Sequence, residues 1–149
     1  MQITKAIIDD ALDVFIWRND PVSREMFFDS HEIQFEDHLS WFERALASDL
    51  RTLFIGQIEG LKVGICRFDI DKLTGEAEVS VNLNPKMRGK GLSKTFLQLS
   101  LKKFQQHYDL NIFARIKKRN LASINLFESV GFKKTLIKSR EYRYEFNSL

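Results

Sequence analysis

The chain has 149 residues, close to the roughly 150 of one average domain, which leaves little room for a second core. Hydrophobic residues make up 44% and charged residues 29%, a globular balance that excludes a disordered tail. The 23 Lys and Arg against 20 Asp and Glu give a net charge of +3, which suits a phosphate-bearing small molecule better than a long polyanion. No run reaches the about 18 apolar residues of a membrane span. Asp9, Asp10 and Asp13 follow Met1 too closely for a signal peptide, so the expected location is the cytoplasm. Cys66 has no partner for a disulfide and lies in an apolar run. His31, His38 and His107 are scattered, so no metal site is expected.

Residues 2–7 read as a strand. Asp9 and Asp10 then cap a helix whose apolar face is Ile8, Leu12, Phe15 and Ile16, stopped by Asp20-Pro21. A less regular segment runs from 22 to 34. Phe35, Leu39, Phe42 and Leu46 return at helical spacing, which predicts a second amphipathic helix.

From Arg51 the period shortens. Residues 52–58 and 62–70 are β-rich runs joined at Glu59-Gly60, and residues 76–83 form the next strand. Leu97, Leu101, Phe104 and Tyr108 mark a long helix after Gly91. A strand at 111–116 follows, then a helix at 121–130 closed by Gly131, and two short strands at 132–137 and 142–146. The order β-α-α-β-β-β-α-β-α-β-β predicts an α/β chain with a mixed sheet flanked by about four helices.

The stretch Asn84-Pro85-Lys86-Met87-Arg88-Gly89-Lys90-Gly91-Leu92-Ser93 ends a strand and opens a helix. Its backbone N–H groups therefore lie where a helix dipole favours anions, and Gly89 and Gly91 permit a tight turn. Arg88 and Lys90 add positive charge. The physics is that of a pyrophosphate cradle. A plain glycine turn is the alternative, and the spacing matches neither G-x-x-x-x-G-K-[ST] nor G-x-G-x-x-G.

Arg88-x-x-Gly91-x-Ser93 resembles the R/Q-x-x-G-x-G/A signature of the GNAT superfamily of acetyl-CoA-dependent N-acetyltransferases. Asn120-x-x-Ser123-x-x-Leu126-Phe127-Glu128-x-x-Gly131-Phe132 resembles that superfamily's N-x-x-A/S-x-x-L-Y-E-x-x-G-F segment. The order of elements is similar over essentially the whole chain, so the resemblance implies one GNAT domain over residues 1–149. Ser93 stands where Gly or Ala is usual, and Phe127 stands where Tyr is common. The resemblance implies acetyl-CoA as cosubstrate and no metal. It puts the pantetheine on Val81, Asn82 and Leu83, and the pyrophosphate on the backbone N–H groups of Arg88, Gly89, Lys90, Gly91, Leu92 and Ser93. Asn120 and Phe127 would be further cofactor contacts, although Asn120 also reads as a helix N-cap.

Acetyl transfer from a thioester to an amine needs a neutral amine and a proton for the leaving thiolate. Alternation along residues 76–83 puts Val79, Val81 and Leu83 on one face, and Glu78, Ser80 and Asn82 on the other. A mid-strand carboxylate is costly to bury without a task, so Glu78 is the candidate base, with Glu76 its rival. Phe127 has no hydroxyl to serve as the acid. Ser123 is similar in position to a Ser used by ribosomal-protein N-terminal acetyltransferases. Tyr142, Tyr144 and water are the other choices.

Trp17-Arg18-Asn19-Asp20-Pro21 and Ile33-x-x-Glu36-x-His38-Leu39-x-Trp41-Phe42 resemble the branch acting on the 4-amino group of nucleotide-linked dideoxy-aminosugars in pseudaminic-acid-type pathways, and less completely the ribosomal-protein group. The acceptor implied is a nucleotide sugar, held by Trp17, Arg18, Asn19 and Arg24. Trp17, Phe27, Phe28 and Trp41 offer flat faces, with core packing the stronger alternative for Trp41. His38 reads as a helix-surface or satisfied histidine rather than a catalyst. A protein N-terminal acetyltransferase and a non-catalytic acyl-CoA-binding module are the alternatives. The basic run Arg115, Lys117, Lys118 and Arg119 serves the cofactor's 3′-phosphate or is a solvated loop, and no nucleic-acid or membrane partner is expected. The expected state is a monomer or homodimer.

Overall fold

A computed structural model describes residues 1–146; the last three residues of the expected domain, 147–149, lie outside the described residues. Strand β1 (Gln2–Lys5) leads through a short 3-10 turn at Ile8–Asp10 into α1 (Ala11–Asn19), α2 (Pro21–Met26) and α3 (Phe35–Ala47). The strands β2 (Arg51–Ile58), β3 (Leu61–Asp71) and β4 (Glu76–Leu83) follow, then α4 (Ser93–Gln105), β5 (Asn111–Lys117), α5 (Leu121–Val130), β6 (Phe132–Ile137) and β7 (Glu141–Phe146). One seven-stranded sheet has the order β1-β2-β3-β4-β5-β7-β6, antiparallel throughout except for the parallel pair β4 and β5. The predicted mixed sheet is present. The helices number five among the described residues, because the segment read as irregular begins with α2.

Pro21 explains that extra helix. It ends α1, and it also sits at the first turn of α2, where a missing N–H costs nothing. Asp20 caps the new helix by accepting the Ser23 N–H at 3.0 Å.

Two apolar clusters cover the two faces of the sheet. Phe96, Leu97, Leu101 and Phe104 of α4 and Phe127 of α5 pack on Phe54, Phe68 and Val79, with Phe68 and Phe104 stacked 4.1 Å apart. Ala11, Val14 and Trp17 of α1 and Phe42 and Ala45 of α3 pack on Leu53, Ile55 and Ile65. The predicted inner face of α1 is therefore wrong. Ile8, Leu12 and Ile16 are 46%, 56% and 54% exposed, and the smaller Ala11 and Val14 point inward with Trp17. This helix carries apolar residues on two stripes, and the spacing favoured the bulkier one. Close approach to α3 and the sheet selects the stripe that begins with small side chains.

His38 of α3 lies in this second layer, 2% exposed, with Nε2 3.0 Å from the Ala11 carbonyl oxygen. A carbonyl can only accept, so Nε2 carries the proton. It is a core histidine, as expected, and burial pushes its pKa below the usual imidazole value. The unfolded chain takes up a proton below about pH 6.5, and the folded one only at lower pH, so stability falls with pH across that window. The wild-type Tm should therefore drop more steeply between pH 7 and 5 than that of His38→Gln, which is the less stable protein at pH 7. Parallel pH profiles in a thermal melt would remove His38 from this role.

Candidate active site

β4 and β5 pair at only three positions, Glu76 with Asn111, Ala77 with Ile112 and Glu78 with Phe113. Beyond Glu78, β4 stays with β3 as far as the pair Leu83 and Gly64, while β5 stays with β7 as far as Lys117 and Glu141. The two strands part. The β4 edge from 79 to 83 thus turns unpaired backbone donors and acceptors toward a cleft, and such groups call for a partner. A cavity of about 340 Å³ fills the opening. Glu78, Val79, Ser80, Val81 and Asn82 line it from β4, and Ala114, Arg115 and Ile116 from β5. Gly64 permits the tight β3–β4 pairing behind it, since a Cβ there would lie 2.6 Å from the Asn82 carbonyl oxygen.

The glycine turn stands at the far end of β4. Asn84 fixes its entry, donating to the Lys62 carbonyl at 2.9 Å and accepting the Lys86 N–H at 3.1 Å. Gly89 and Gly91 both have positive φ, +73° and +70°, with open space where a Cβ would project. Among the described residues no backbone N–H from 89 to 92 donates to another backbone group, and α4 begins without a side-chain cap. Free donors at the start of a 13-residue helix fit an anion. The Leu83 and Leu92 side chains pack on the core, so only their backbone faces this region.

The Arg88 side chain departs from expectation. Its guanidinium lies 2.8 Å from Asp20 Oδ2 and 2.7 Å from Ser23 Oγ, so its charge is neutralised by α2 rather than added to the turn. The same bond holds the Asp20 carboxyl below its usual range.

Two ion pairs lie side by side on the cavity floor. Glu78 accepts from Arg115 at 2.8 and 3.3 Å, and Asp69, directly across β3–β4 from Glu78, is paired with Arg67 at 3.1 Å. Glu78 thus has a guanidinium on one flank and a carboxylate on the other, and the pairing raises the pKa of Arg115. The rival Glu76 lies outside the cavity, bonded to Arg143 and Asn111. Tyr144 is fully buried and donates to Glu128 at 2.9 Å, with burial pushing its hydroxyl up to about 12, and Tyr142 sits under Lys134. Neither tyrosine reaches the cavity. Ser123 and Phe127 both line it, together with Asn120, which also caps α5 through the Ser123 N–H at 3.2 Å. The N-cap reading of Asn120 holds, and the residue also lines the cavity.

Of the residues expected to hold the acceptor, only Arg18 reaches the cavity. Trp17 is 4% exposed and belongs to the core. Asn19 is a structural clamp, donating to the Ile33 carbonyl at 2.8 Å and accepting its N–H at 3.0 Å. Arg24 lies outside the lining, 3.7 Å from Glu32. The helical period decides this: Val14 and Arg18, four apart, face the cavity, while Trp17 is turned about 100° onto the sheet. The two tryptophans exchange their expected roles, for Trp41 lines the cavity with Arg67 5.2 Å from its ring. Sequence reasoning missed Arg67, Asp69 and Asp29. The first two sit two apart on β3, so strand alternation carried their signal. The basic run on β5 is occupied internally: Lys117 and Arg119 both donate to the Glu25 carbonyl at 3.0 Å, and Lys118 lies over Tyr142.

A family model described as the acetyltransferase (GNAT) domain matches residues 2–133. The chain belongs to this family. The parted strands and the glycine turn are features of this chain's GNAT domain. An uncharacterised protein of Methanocaldococcus jannaschii is 30% identical over 97% of the chain, which spans 31% of that relative's length. Ribosomal-protein-alanine N-acetyltransferase of Brucella melitensis superposes with a TM-score of 0.82 at 21% identity, covering 97% of this chain and 98% of that one. Spermidine N-acetyltransferase of Vibrio cholerae, in complex with CoA and spermine, gives 0.83 at 15% identity, covering 97% and 92%. Among the described residues no helix is long and apolar enough to cross a membrane, and no cluster of His, Cys, Asp and Glu could hold a metal.

A β-branched residue is poorly tolerated at positive φ, at a cost of about 1–2 kcal/mol. Gly91→Val should therefore abolish CoA binding in a calorimetric titration while Tm falls by only a few degrees, roughly 2–8 °C. Lys90→Ala, at an exposed position, should weaken binding only modestly. Unchanged affinity in Gly91→Val would take the glycine turn out of the site.

Proposed function

We propose that this acetyltransferase moves the acetyl group of acetyl-CoA onto the 4-amino group of a UDP-linked dideoxy-aminosugar. The observation that carries the acceptor class is the pair Arg18 and Arg67 at one cavity. Burial pulls Arg18 below the usual guanidinium value and the charge of Arg67 acts in the same direction, with Asp29 acting against both and Asp69 paired to Arg67, so the two cations are close enough to repel. A diphosphate relieves that repulsion and suits two guanidiniums. Trp41 beside Arg67, and Phe27 beneath Arg18 at 5.4 Å, add flat faces for a ring.

Acetyl-CoA supplies the acyl group as a thioester. The backbone N–H groups of 89–93 receive its pyrophosphate, the Arg88 N–H being bonded to the Pro85 carbonyl, and the open edge of β4 at Val81, Asn82 and Leu83 pairs with its pantetheine amides. Asn120 and Phe127 close the other wall. Glu78 accepts the proton of the amine, directly or through one water, while Arg115 fixes the direction of its carboxylate. The Ser123 hydroxyl, on the same wall as Phe127, gives the departing thiolate its proton and takes one back from cavity water, while Glu78 releases the amine proton to solvent.

Glu78→Gln keeps the size and loses the base, so turnover should fall by about 10²-fold or more while CoA affinity holds. Equal turnover of the two proteins from pH 6 to 9 at saturating amine would show that Glu78 is not the base.

The acceptor is decided by thiol release from acetyl-CoA across a panel of UDP-aminosugars, the corresponding free aminosugars, spermidine, and peptides beginning with Ala or Ser. The UDP-linked sugar should be much the best substrate, because binding of its remote nucleotide positions the amine. Arg18→Ala should raise the KM for the nucleotide sugar by at least about tenfold and leave the slow reaction of the free sugar unchanged. Good turnover of the peptides with every UDP-aminosugar inert would overturn this reading in favour of N-terminal protein acetylation.

A further inference from the structure

We propose that Arg88 is a positioning residue whose side chain couples the occupancy of the glycine turn to the order of the acceptor-side segment 20–34. The inference rests on reading residues 88–93 as the pyrophosphate cradle. Arg88 belongs to both sides of the molecule. Its backbone stands at the start of the turn, and its guanidinium reaches over to Asp20 and Ser23 at 2.8 and 2.7 Å.

The chain of contacts does not stop at α2. Ser23, 6% exposed, donates its hydroxyl to Asn82 Oδ1 at 3.1 Å, and Asn82 is a cavity residue on the open edge of β4. α2 has only six residues, too few to persist without tertiary support. It is held at one end by Arg88 and at the other by the Glu25 carbonyl, which accepts from Lys117 and Arg119 at 3.0 Å each. Between and beyond these anchors the segment delivers Phe27 to Arg18 and Phe28 to Arg115, two arginines of the cavity, with ring distances of 5.4 and 4.8 Å. The segment is thus a strap across the cleft, tied at one side to the strand that carries Glu78's partner and at the other to the turn.

The turn itself is held loosely. The N–H groups of residues 89–92 have no backbone partners among the described residues, and two of these residues are glycines at positive φ. An anion bound there restricts the turn, the restricted turn fixes Arg88, and Arg88 fixes α2 and the strap. By thermodynamic reciprocity, an ordered strap also favours an occupied turn.

The experiment reads amide hydrogen exchange over residues 21–34 with and without CoA, alongside the calorimetric Kd for CoA. In the wild-type protein saturating CoA should slow exchange in this segment by at least about fivefold. Asp20→Asn keeps an oxygen to cap α2 but loses the ion pair, so the slowing should shrink below about twofold while the Kd for CoA stays within about threefold. Ser23→Ala, which cuts the link to Asn82, should act in the same direction. A merely structural bridge would raise exchange equally with and without CoA and leave their ratio intact. CoA that binds the wild type without slowing exchange in 21–34, or an undiminished slowing in both variants, overturns the proposal. Failure of CoA to bind the wild-type protein overturns the cradle itself, and the coupling falls with it.

Discussion

Two parallel strands that begin as neighbours and then separate impose the central constraint on this molecule. β4 and β5 share three paired positions, after which each keeps only its outer partner. Backbone groups on a parted edge cannot stay unsatisfied inside a protein, so the opening must hold solvent or a ligand with amides of its own. Every other feature of the site is placed by that opening. Glu78 occupies the last paired position, at the apex, so its carboxylate stands where the two walls meet. α5 packs with Phe127 in the core beneath, which brings Ser123 and Asn120 to the second wall. The glycine turn lies beyond Leu83, at the wide end.

Charge is arranged along the register of the sheet. Across β3, β4 and β5 the cavity floor reads Arg67 with Asp69, then Glu78 with Arg115. Alternating signs keep the floor close to neutral, so a ligand is recognised by direction rather than by bulk attraction. Arg18 breaks the pattern from the helical wall. It lies over Phe27 and within the field of Arg67, a cation whose partner is an aromatic face. That asymmetry separates this cavity from one built only to orient a carboxylate.

The two helical layers are built differently. The face with α4 and α5 is a dense aromatic core in which Phe68 and Phe104 stack and Cys66 is sealed, its thiol pushed up to about 12 by burial. The face with α1, α2 and α3 is built of shorter pieces and bonds through side chains: Asn19 to Ile33, Asp20 to Ser23 and Arg88, and Lys62 to Asp10 and Asp13. Aromatic packing holds the first face, and polar side-chain links add to the core of the second.

The amino-acid sequence by itself determined the order of elements apart from α2, the strand that carries Glu78, the turn at Gly89 and Gly91, and the family. These are local matters. Strand alternation, a glycine pair after a strand, and a motif spacing are all legible along the chain. The sequence did not decide which of two apolar stripes of α1 faces inward, or which tryptophan is core. Trp17 and Trp41 both fit an amphipathic helix, and only the packing of α1 against α3 and the sheet buries the first and leaves the second beside Arg67. Arg88 and Asp20 are 68 residues apart, as Glu78 and Arg115 are 37, and no periodicity connects such pairs. Partners of that kind exist only once the chain has closed on itself. Charged side chains are long and flexible, so which carboxylate meets which guanidinium is set by the tertiary arrangement of the elements that carry them.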